Sequence, residues 1–305
     1  MLLFLLRRLL LALAVGATVL IVAFALTRIA GDPALAVAGP QASPEDVAII
    51  RHAYGLDRPL VTQFLDWAAG LAHGDLGRSY LFREPVANLL RARLPVTLTL
   101  GACGIVLALL IAIPLGVLAA TREGGVIDRA ALMFVLLGQA VPSFWLGLLL
   151  IVLFGLRLQW LPIGGLEDAS GYVLPAFVLA FSAVPALMRL TRSGMIEALS
   201  SDYVRTARAK GLSRLSVVLR HAGRNAAMPV VAIAAVQLGF MLGGSIVTEA
   251  VFSLPGIGQL AWESISKNDF PVVQAIVLVL ALVYVGLTLA ADLLNAVLDP
   301  RLRSF

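Results

Sequence analysis

Charge is what this sequence has least of. Asp, Glu, Lys and Arg make up 13% of its 305 residues, roughly half the share of an ordinary soluble domain. Lysine is nearly absent, with Lys210 and Lys267 alone. Neither follows a glycine-rich phosphate loop, which excludes a P-loop nucleotide site. The one cysteine, Cys103, sits in an apolar run. It permits no internal disulfide and reads as a small packing residue. The histidines His52, His73 and His221 are scattered, with no His-Glu-x-x-His pair and no Gly-x-Ser-x-Gly elbow. The chain therefore carries no assembled site for hydrolysis or metal chemistry. It reads as something other than an enzyme.

Hydrophobic residues fill the space, at 60% of the chain and a mean hydropathy of +0.95. They gather into long uncharged runs, the composition of a protein that crosses a bilayer several times. The net charge of +5 and pI of about 9.9 do not point to nucleic acid. The basic residues flank apolar runs and form no soluble basic surface.

A helix needs about 20 residues to cross the hydrocarbon core. Six stretches fit this need: Leu9–Leu26, Leu98–Ala120, Ala130–Leu156, Tyr172–Met188, Asn225–Thr248 and Phe270–Leu298. The fourth is short and holds Pro175 and Pro185; the sixth is interrupted only by Asp292. The first exceeds the h-region of a secretory signal and reads as an uncleaved anchor. With the N-terminus inside, the cytoplasmic side collects fourteen basic residues, among them Arg7, Arg8, Arg122, Arg129, Arg189, Arg192, Arg301 and Arg303. The two short outer loops hold Arg157 and Lys267. The asymmetry places both termini in the cytoplasm.

Three segments lie outside the spans, and all belong to one domain, 1–305. The outer loop 28–95 includes a helical pattern from Pro59 to Gly70, with Leu60, Phe64, Leu65 and Trp67 on one face. A second outer loop, Glu249 to Asp269, is broken at Pro255-Gly256-Ile257-Gly258 and is expected near the external mouth. The third is the cytoplasmic loop 189–224. Candidate pathway residues are Gln139, Pro142, Ser143, Pro185, Gln237 and Ser245. Each serves equally as a solute contact or as an interhelical contact. An ion-coupled carrier would place ionisable groups near the midplane. Asp292 is the one such group, and it also reads as a helix-end carboxylate. Spans with so little chemistry point to an energy source outside the membrane.

Within the cytoplasmic loop, Glu197 to Ser213 reads as a helix followed by a turn. Gly211 suits the position after a helix, and Ser213 can cap the next helix, Arg214 to His221. The result is a compact knob.

The run Tyr203-Val-Arg-Thr-Ala-Arg-Ala-Lys-Gly211-Leu, followed by His221-Ala-Gly-Arg-Asn225 and Pro229, resembles the EAA loop of binding-protein-dependent ABC importer permeases. It is similar above all to the dipeptide, oligopeptide and nickel permease branch. Ala207 and Gly211 keep the second Ala and the Gly of the motif. Arg205 and Thr206 replace its Glu and first Ala, and His221 replaces an apolar residue, departures usual in that branch. Gly31-Asp32-Pro33, Tyr54-Gly-Leu-Asp-Arg-Pro-Leu60, Gly74-Asp-Leu-Gly-Arg-Ser79, Arg93-Leu-Pro-Val-Thr-Leu98, Glu249-Ala-Val-Phe-Ser-Leu-Pro-Gly-Ile-Gly258, Asp269-Phe-Pro-Val-Val-Gln274 and Asp299-Pro-Arg301 also match in order. The resemblance implies an all-α membrane protein of the type I importer kind with six transmembrane helices. It implies the first of two permease subunits, set in the inner membrane. A second permease, two cytoplasmic ATPase subunits and an extracytoplasmic solute-binding protein would complete the machine. ATP and Mg would sit on the ATPases, with no cofactor in this chain. Tyr203, Arg205, Ala207, Lys210, Gly211, His221 and Asn225 would form the coupling loop, and Pro255, Gly256 and Gly258 the outer mouth. Dipeptides, longer peptides, glutathione, nickel complexes and sugars remain open as solutes, and an ion-coupled carrier is the rival reading.

Overall fold

A computed structural model describes residues 2–29, 31–39 and 41–298, with side chains from Leu10 to Leu294 except at 30, 40 and 228. The side chains of Arg7 and Arg8, and the whole of Arg301, Arg303 and the Asp299-Pro-Arg301 motif, lie outside the described residues. The described chain is almost wholly helical. Five helices are long and apolar enough to cross a membrane: Leu10–Ile29, Val86–Thr121, Ala169–Ser200, Pro229–Val251 and Phe270–Leu294. A sixth crossing exists if the pair Val126–Ala140 and Ser143–Arg157, bent by 99°, counts as one span.

The elements in chain order are α1 (Leu2–Ile29), α2 (Pro33–Ala38), α3 (Pro44–Ala53), α4 (Leu60–Ala72), α5 (Val86–Thr121), α6 (Val126–Ala140), α7 (Ser143–Leu150), α8 (Val173–Ser200), α9 (Asp202–Ala209), α10 (Arg214–Ser216), α11 (Gly223–Val251), α12 (Ile257–Ser266) and α13 (Phe270–Leu298). Wide π-type turns follow α7, over Ile151–Arg157, and α10, over Val217–Ala222. Packing divides the chain into two compact units. One holds Leu98–Leu254 and the chain from Gly286; the other holds Leu2–Thr97 and Pro255–Val285.

In the first unit α8 is the core. It buries fourteen residues, including Val184, Leu187, Met188 and Met195. The span expected at Tyr172–Met188 is thus longer than hydropathy suggests. Arg189 and Arg192 are helical residues of α8, and the loop expected over 189–224 begins only at Ser201. Close approach depends on two glycines. A Cβ on Gly116 would stand 2.7 Å from the Thr191 Cβ, and one on Gly138 would stand 3.0 Å from the Pro185 Cγ. Small residues let membrane helices pack backbone to backbone. Pro185 is therefore buried packing, where the sequence suggested a pathway kink.

The span expected at Ala130–Leu156 is broken. Pro142 lacks an N–H and its ring clashes with the preceding turn, which forces Val141 into extended geometry at φ −84°, ψ 120°. α6 ends there and α7 departs in a new direction. α6 is held at its other end by Asp128, in its first turn. The Asp128 carboxylate accepts from Gly124 N at 2.9 Å, Arg192 Nε at 2.6 Å and Arg192 Nη2 at 2.8 Å. The pair is bidentate, and the Asp128 side chain is 4% exposed.

In the second unit, polar clamps dominate. Phe24 of α1 packs on Phe64 and Trp67 of α4 at centroid distances of 5.4 and 5.9 Å. Arg28 lies over the same Phe24 ring and donates to Gln63 Oε1 at 2.8 Å. Only half of the expected α4 face is used, since Leu60 and Leu65 are exposed. Asp32 caps α2 and pairs with Arg51 of α3. Ser43 and Asp46 form a reciprocal cap on α3. Asp269, fully buried, accepts from Ser79 Oγ, Tyr80 N and Leu81 N. It fixes the 79–82 turn to the start of α13. Burial pushes the neighbouring Tyr80 phenol up to about 12, so that group stays protonated.

Breaking a buried ion pair from one side leaves an uncompensated charge and costs about 3–5 kcal/mol, whereas an apolar replacement of both partners is close to neutral. Asp128→Ala is therefore expected to lower the thermal stability of the detergent-purified chain sharply. Asp128→Leu combined with Arg192→Met should recover most of the loss. A single variant as stable as the parent would show that the pair does not hold α6.

Candidate functional site

The knob occupies Ser201–Ala222, narrower than the 189–224 loop expected from sequence. α8 ends where Ser201 turns extended at φ −71°, ψ 155°. α9 then runs for eight residues, Asp202–Ala209. It closes in a complete Schellman arrangement: Gly211 N donates to Arg208 O at 3.0 Å, and Leu212 N donates to Ala207 O at 3.3 Å. Gly211 sits at φ +77°, in the left-handed region that favours glycine. Ser213 caps the returning helix, its hydroxyl accepting from Ser216 N at 3.3 Å. The helix, turn and cap read from the sequence are all present.

The faces of α9 divide sharply. Val204 and Ala207 point into an apolar cluster with Met195, Ala198, Val217, Val218 and Ala222. Tyr203, Arg205, Thr206 and Lys210 are exposed. Ala207 thus seats the knob on its own chain. Tyr203, Arg205 and Lys210 make its exposed outer face. Arg205 and Asp202 pair at 3.3 Å on that surface, both largely exposed, and such a pair contributes little. His221 is half-buried on the wide turn after α10, and Asn225 is exposed in the first turn of α11. The wide turn puts Val217, Val218 and Ala222 on one buried side. No local sequence signal marks it.

The candidate pathway residues do not share one setting. Gln139 and Pro142 are exposed, and Ser143 half-buried, at the break between α6 and α7. Gln237 is half-buried on α11. Ser245 is buried, and its hydroxyl donates to Leu242 O of its own helix at 3.0 Å. It is satisfied there and opens on no surface. Asp292 is half-buried on α13, a turn and a half before that helix's last residue, Leu298.

The segment at 255–258, expected as a break within a loop, opens a helix instead. Gly256 caps α12, and Gly256, Ile257, Gly258 and Leu260 are buried. Ile257 N donates to the buried Thr97 Oγ1 at 2.8 Å. Pro255 is half-buried, and Trp262 and Ile265 form the exposed side of α12. Recurrence of small and apolar residues at helical spacing in Ile257, Leu260, Ala261 and Ser264 was the missed signal. The Pro-Gly pair masked it, although such a pair also suits a helix start.

Sequence reasoning passed over Asp128, and it named Asp269 only within a matching run and gave it no partner. Asp128 had a local signal, an acid in a first helical turn. Asp269 had none, because its partners lie about 190 residues away.

Residues 112–304 match the family model described as "Binding-protein-dependent transport system inner membrane component". Residues 1–101 match the model of its N-terminal part. The chain is 38% identical over 309 residues to "Probable peptide ABC transporter permease protein y4tP" of Sinorhizobium fredii, covering 98% of this chain and 99% of that protein. It is 40% identical over 273 residues to the "Glutathione transport system permease protein GsiC" of Escherichia coli O6:H1, covering 90% and 89%. Among solved structures, an inward-facing MetNI methionine ABC transporter matches with a TM-score of 0.57 at 20% identity, over 69% of this chain and 96% of that one. That likeness speaks to fold alone.

A Cβ added at Gly211 would meet nothing within 4 Å, so backbone strain alone sets the cost of substitution there. Gly211→Val is expected to destabilise the turn by about 1–3 kcal/mol and to speed hydrogen exchange at the amides of 203–212. Gly211→Asn should be nearly silent, since Asn tolerates this conformation. Equal exchange in both variants would remove the conformational role of Gly211. The apolar spans, the seated knob and these similarities together make the chain a membrane-spanning permease subunit of an ABC importer, a member of the binding-protein-dependent transport system inner membrane component family.

Proposed function

We propose that this permease forms half of a pathway that imports short peptides or peptide-like solutes such as glutathione. The observation that carries the proposal is the near full-length identity of about two residues in five to permeases named for peptide and glutathione transport. The chain sits in the inner membrane with both termini in the cytoplasm. A second, non-identical permease completes the pathway, and an extracytoplasmic binding protein delivers the solute. Two ATPase subunits, carrying ATP and Mg, dock on the coupling loops of the two permeases, which in this chain is Ser201–Ala222. The polar residues at the break between α6 and α7, Gln139 and Ser143, with Gln237 of α11, are the solute-facing candidates in this chain. Pro255, Gly256 and Gly258 belong to the outer end of the chain, where they act by seating α12.

The physics of coupling favours the knob. Moving a two-state pore from 1:99 to 99:1 takes about 5.5 kcal/mol of differential interaction. A loose loop transmits little of that. α9 is short, capped at its far end and seated on α8 and on the wide turn that leads into α11 by buried Val204 and Ala207, so a push on its exposed face reaches the helices behind it.

Three measurements test this reading. With Cys103 replaced, single cysteines at Ser43 and Ser213 should differ in labelling by an impermeant thiol reagent on cells with a permeabilised outer membrane. Ser43 should label and Ser213 should not; the reverse pattern would invert the topology. In reconstituted complexes, Arg205→Glu should weaken capture of the ATPases while leaving the fold intact. Ala207→Asp should abolish capture by unseating α9, and Val61→Ser, on exposed α4, should do neither. Uptake should continue when the proton gradient is collapsed and ATP retained. Uptake that stops under those conditions would favour an ion-coupled carrier.

A further inference from the structure

Two recesses of the first unit meet at one residue. The first is an apolar groove of about 390 Å³ between α5, α8 and α11. Leu109, Val117, Met195, Gly223 and Ala234 are among its walls. Thr191 is its one polar lining residue among the described residues, and that hydroxyl is already committed to Leu187 O at 2.8 Å. The second is a recess of about 550 Å³ beside the knob, lined by Thr121, Leu199, Leu212, Arg208 and Arg214 among others. Val218 lines both.

The chemistry of the pair is that of one amphiphile. No carboxylate lines the basic recess among the described residues. Arg214 reaches over it toward Thr121 O at 3.4 Å, and Arg208 is exposed at its side. Two guanidinium groups on a common recess suit a phosphate, which they can grip through paired N–H donors. The groove leads away from them along α11. From Gly223 to Ala234 it follows roughly 16 Å of helix at 1.5 Å per residue, close to the roughly 15 Å depth of one leaflet. A dry groove one leaflet deep with a basic mouth fits an acyl chain joined to an anionic head.

We propose that this is a binding site for an anionic phospholipid of the cytoplasmic leaflet, with its phosphate between Arg208 and Arg214 and one acyl chain in the groove. The leaflet assignment rests on the orientation proposed above. The lipid would fill the space between the end of α5 and the seat of α9. Val117, Met195 and Val218 wall the groove and also belong to the cluster that holds Val204 and Ala207, so the bound lipid would stiffen the seat of the coupling helix.

Lipid retention on the full chain purified in detergent tests the site without ATP, ATPase subunits or solute, so it can fail while the transport reading stands. Phosphatidylglycerol and phosphatidylcholine of equal chain length are offered together, and bound lipid is read by native mass spectrometry. Phosphatidylglycerol should be retained selectively. An interfacial basic residue supports roughly five-fold in affinity, so Arg208→Gln with Arg214→Gln should cut retention about twenty-fold or more. Arg208→Lys with Arg214→Lys should keep most of it, which separates lost charge from misfolding. Ala227 lines the groove and is exposed, so Ala227→Phe should exclude the chain and lower retention with both arginines intact. Equal retention of the two lipids, or unchanged retention in the double Gln variant, would overturn the site. Full displacement by soluble glycerol phosphate would reduce it to an anion recess. Loss of the lipid on assembly with the second permease would show that the groove belongs to a partner helix.

Discussion

Hydrocarbon offers a backbone amide no hydrogen-bond partner, and that single constraint orders this protein. Every apolar stretch must satisfy its own N–H and C=O groups, so the spans are helices. Where a helix is interrupted, something must replace the missing bonds. Pro185 within α8 and Pro229 within α11 are absorbed without ending the helix. Pro142 is not, and there the chain changes direction by 99°. Pro185 is buried against Gly138, while Pro229 and Pro142 are both exposed, so exposure alone does not separate the absorbed prolines from the breaking one.

The same constraint makes polar side chains expensive within the fold, and the protein uses them sparingly as clamps. In the first unit Asp128 ties a helix start to Arg192 across 64 residues of sequence. In the second, Asp269 gathers three donors from the 79–82 turn, and Gln274 donates to Thr27 Oγ1 at 2.8 Å. Each clamp is saturated by defined donors, which is the condition under which a buried polar group specifies a structure. These are positioning residues, and they account for most of the buried charge that hydropathy alone would call anomalous.

The knob follows a different logic. Its exposed face is polar, and the inner face of α9 is limited to Val204 and Ala207, too small a surface to fold alone. It becomes rigid because a Schellman turn, a serine cap and a wide helical turn all converge on one apolar cluster. A short element with a fixed base and a charged outer face is suited to carrying force from a soluble partner into helices that hold no catalytic groups.

Much of this was legible in the sequence, and the reason is locality. Apolar length fixed the spans, and the spacing of Ala207, Gly211 and Ser213 fixed helix, turn and cap, since those depend on residues within one or two turns. Proline at 142 stood inside a single expected span, and the 99° break there belongs to the structure. Tertiary structure alone decided which face of each element is buried. It turned Ala207 inward, and it buried Ser245 and the side of α12 that carries Ile257 and Leu260. It also joined Asp128 to Arg192 and Asp269 to Ser79. Burial and pairing are settled by partners tens to hundreds of residues away, and a local pattern of polar and apolar residues carries no information about which distant surface it will meet.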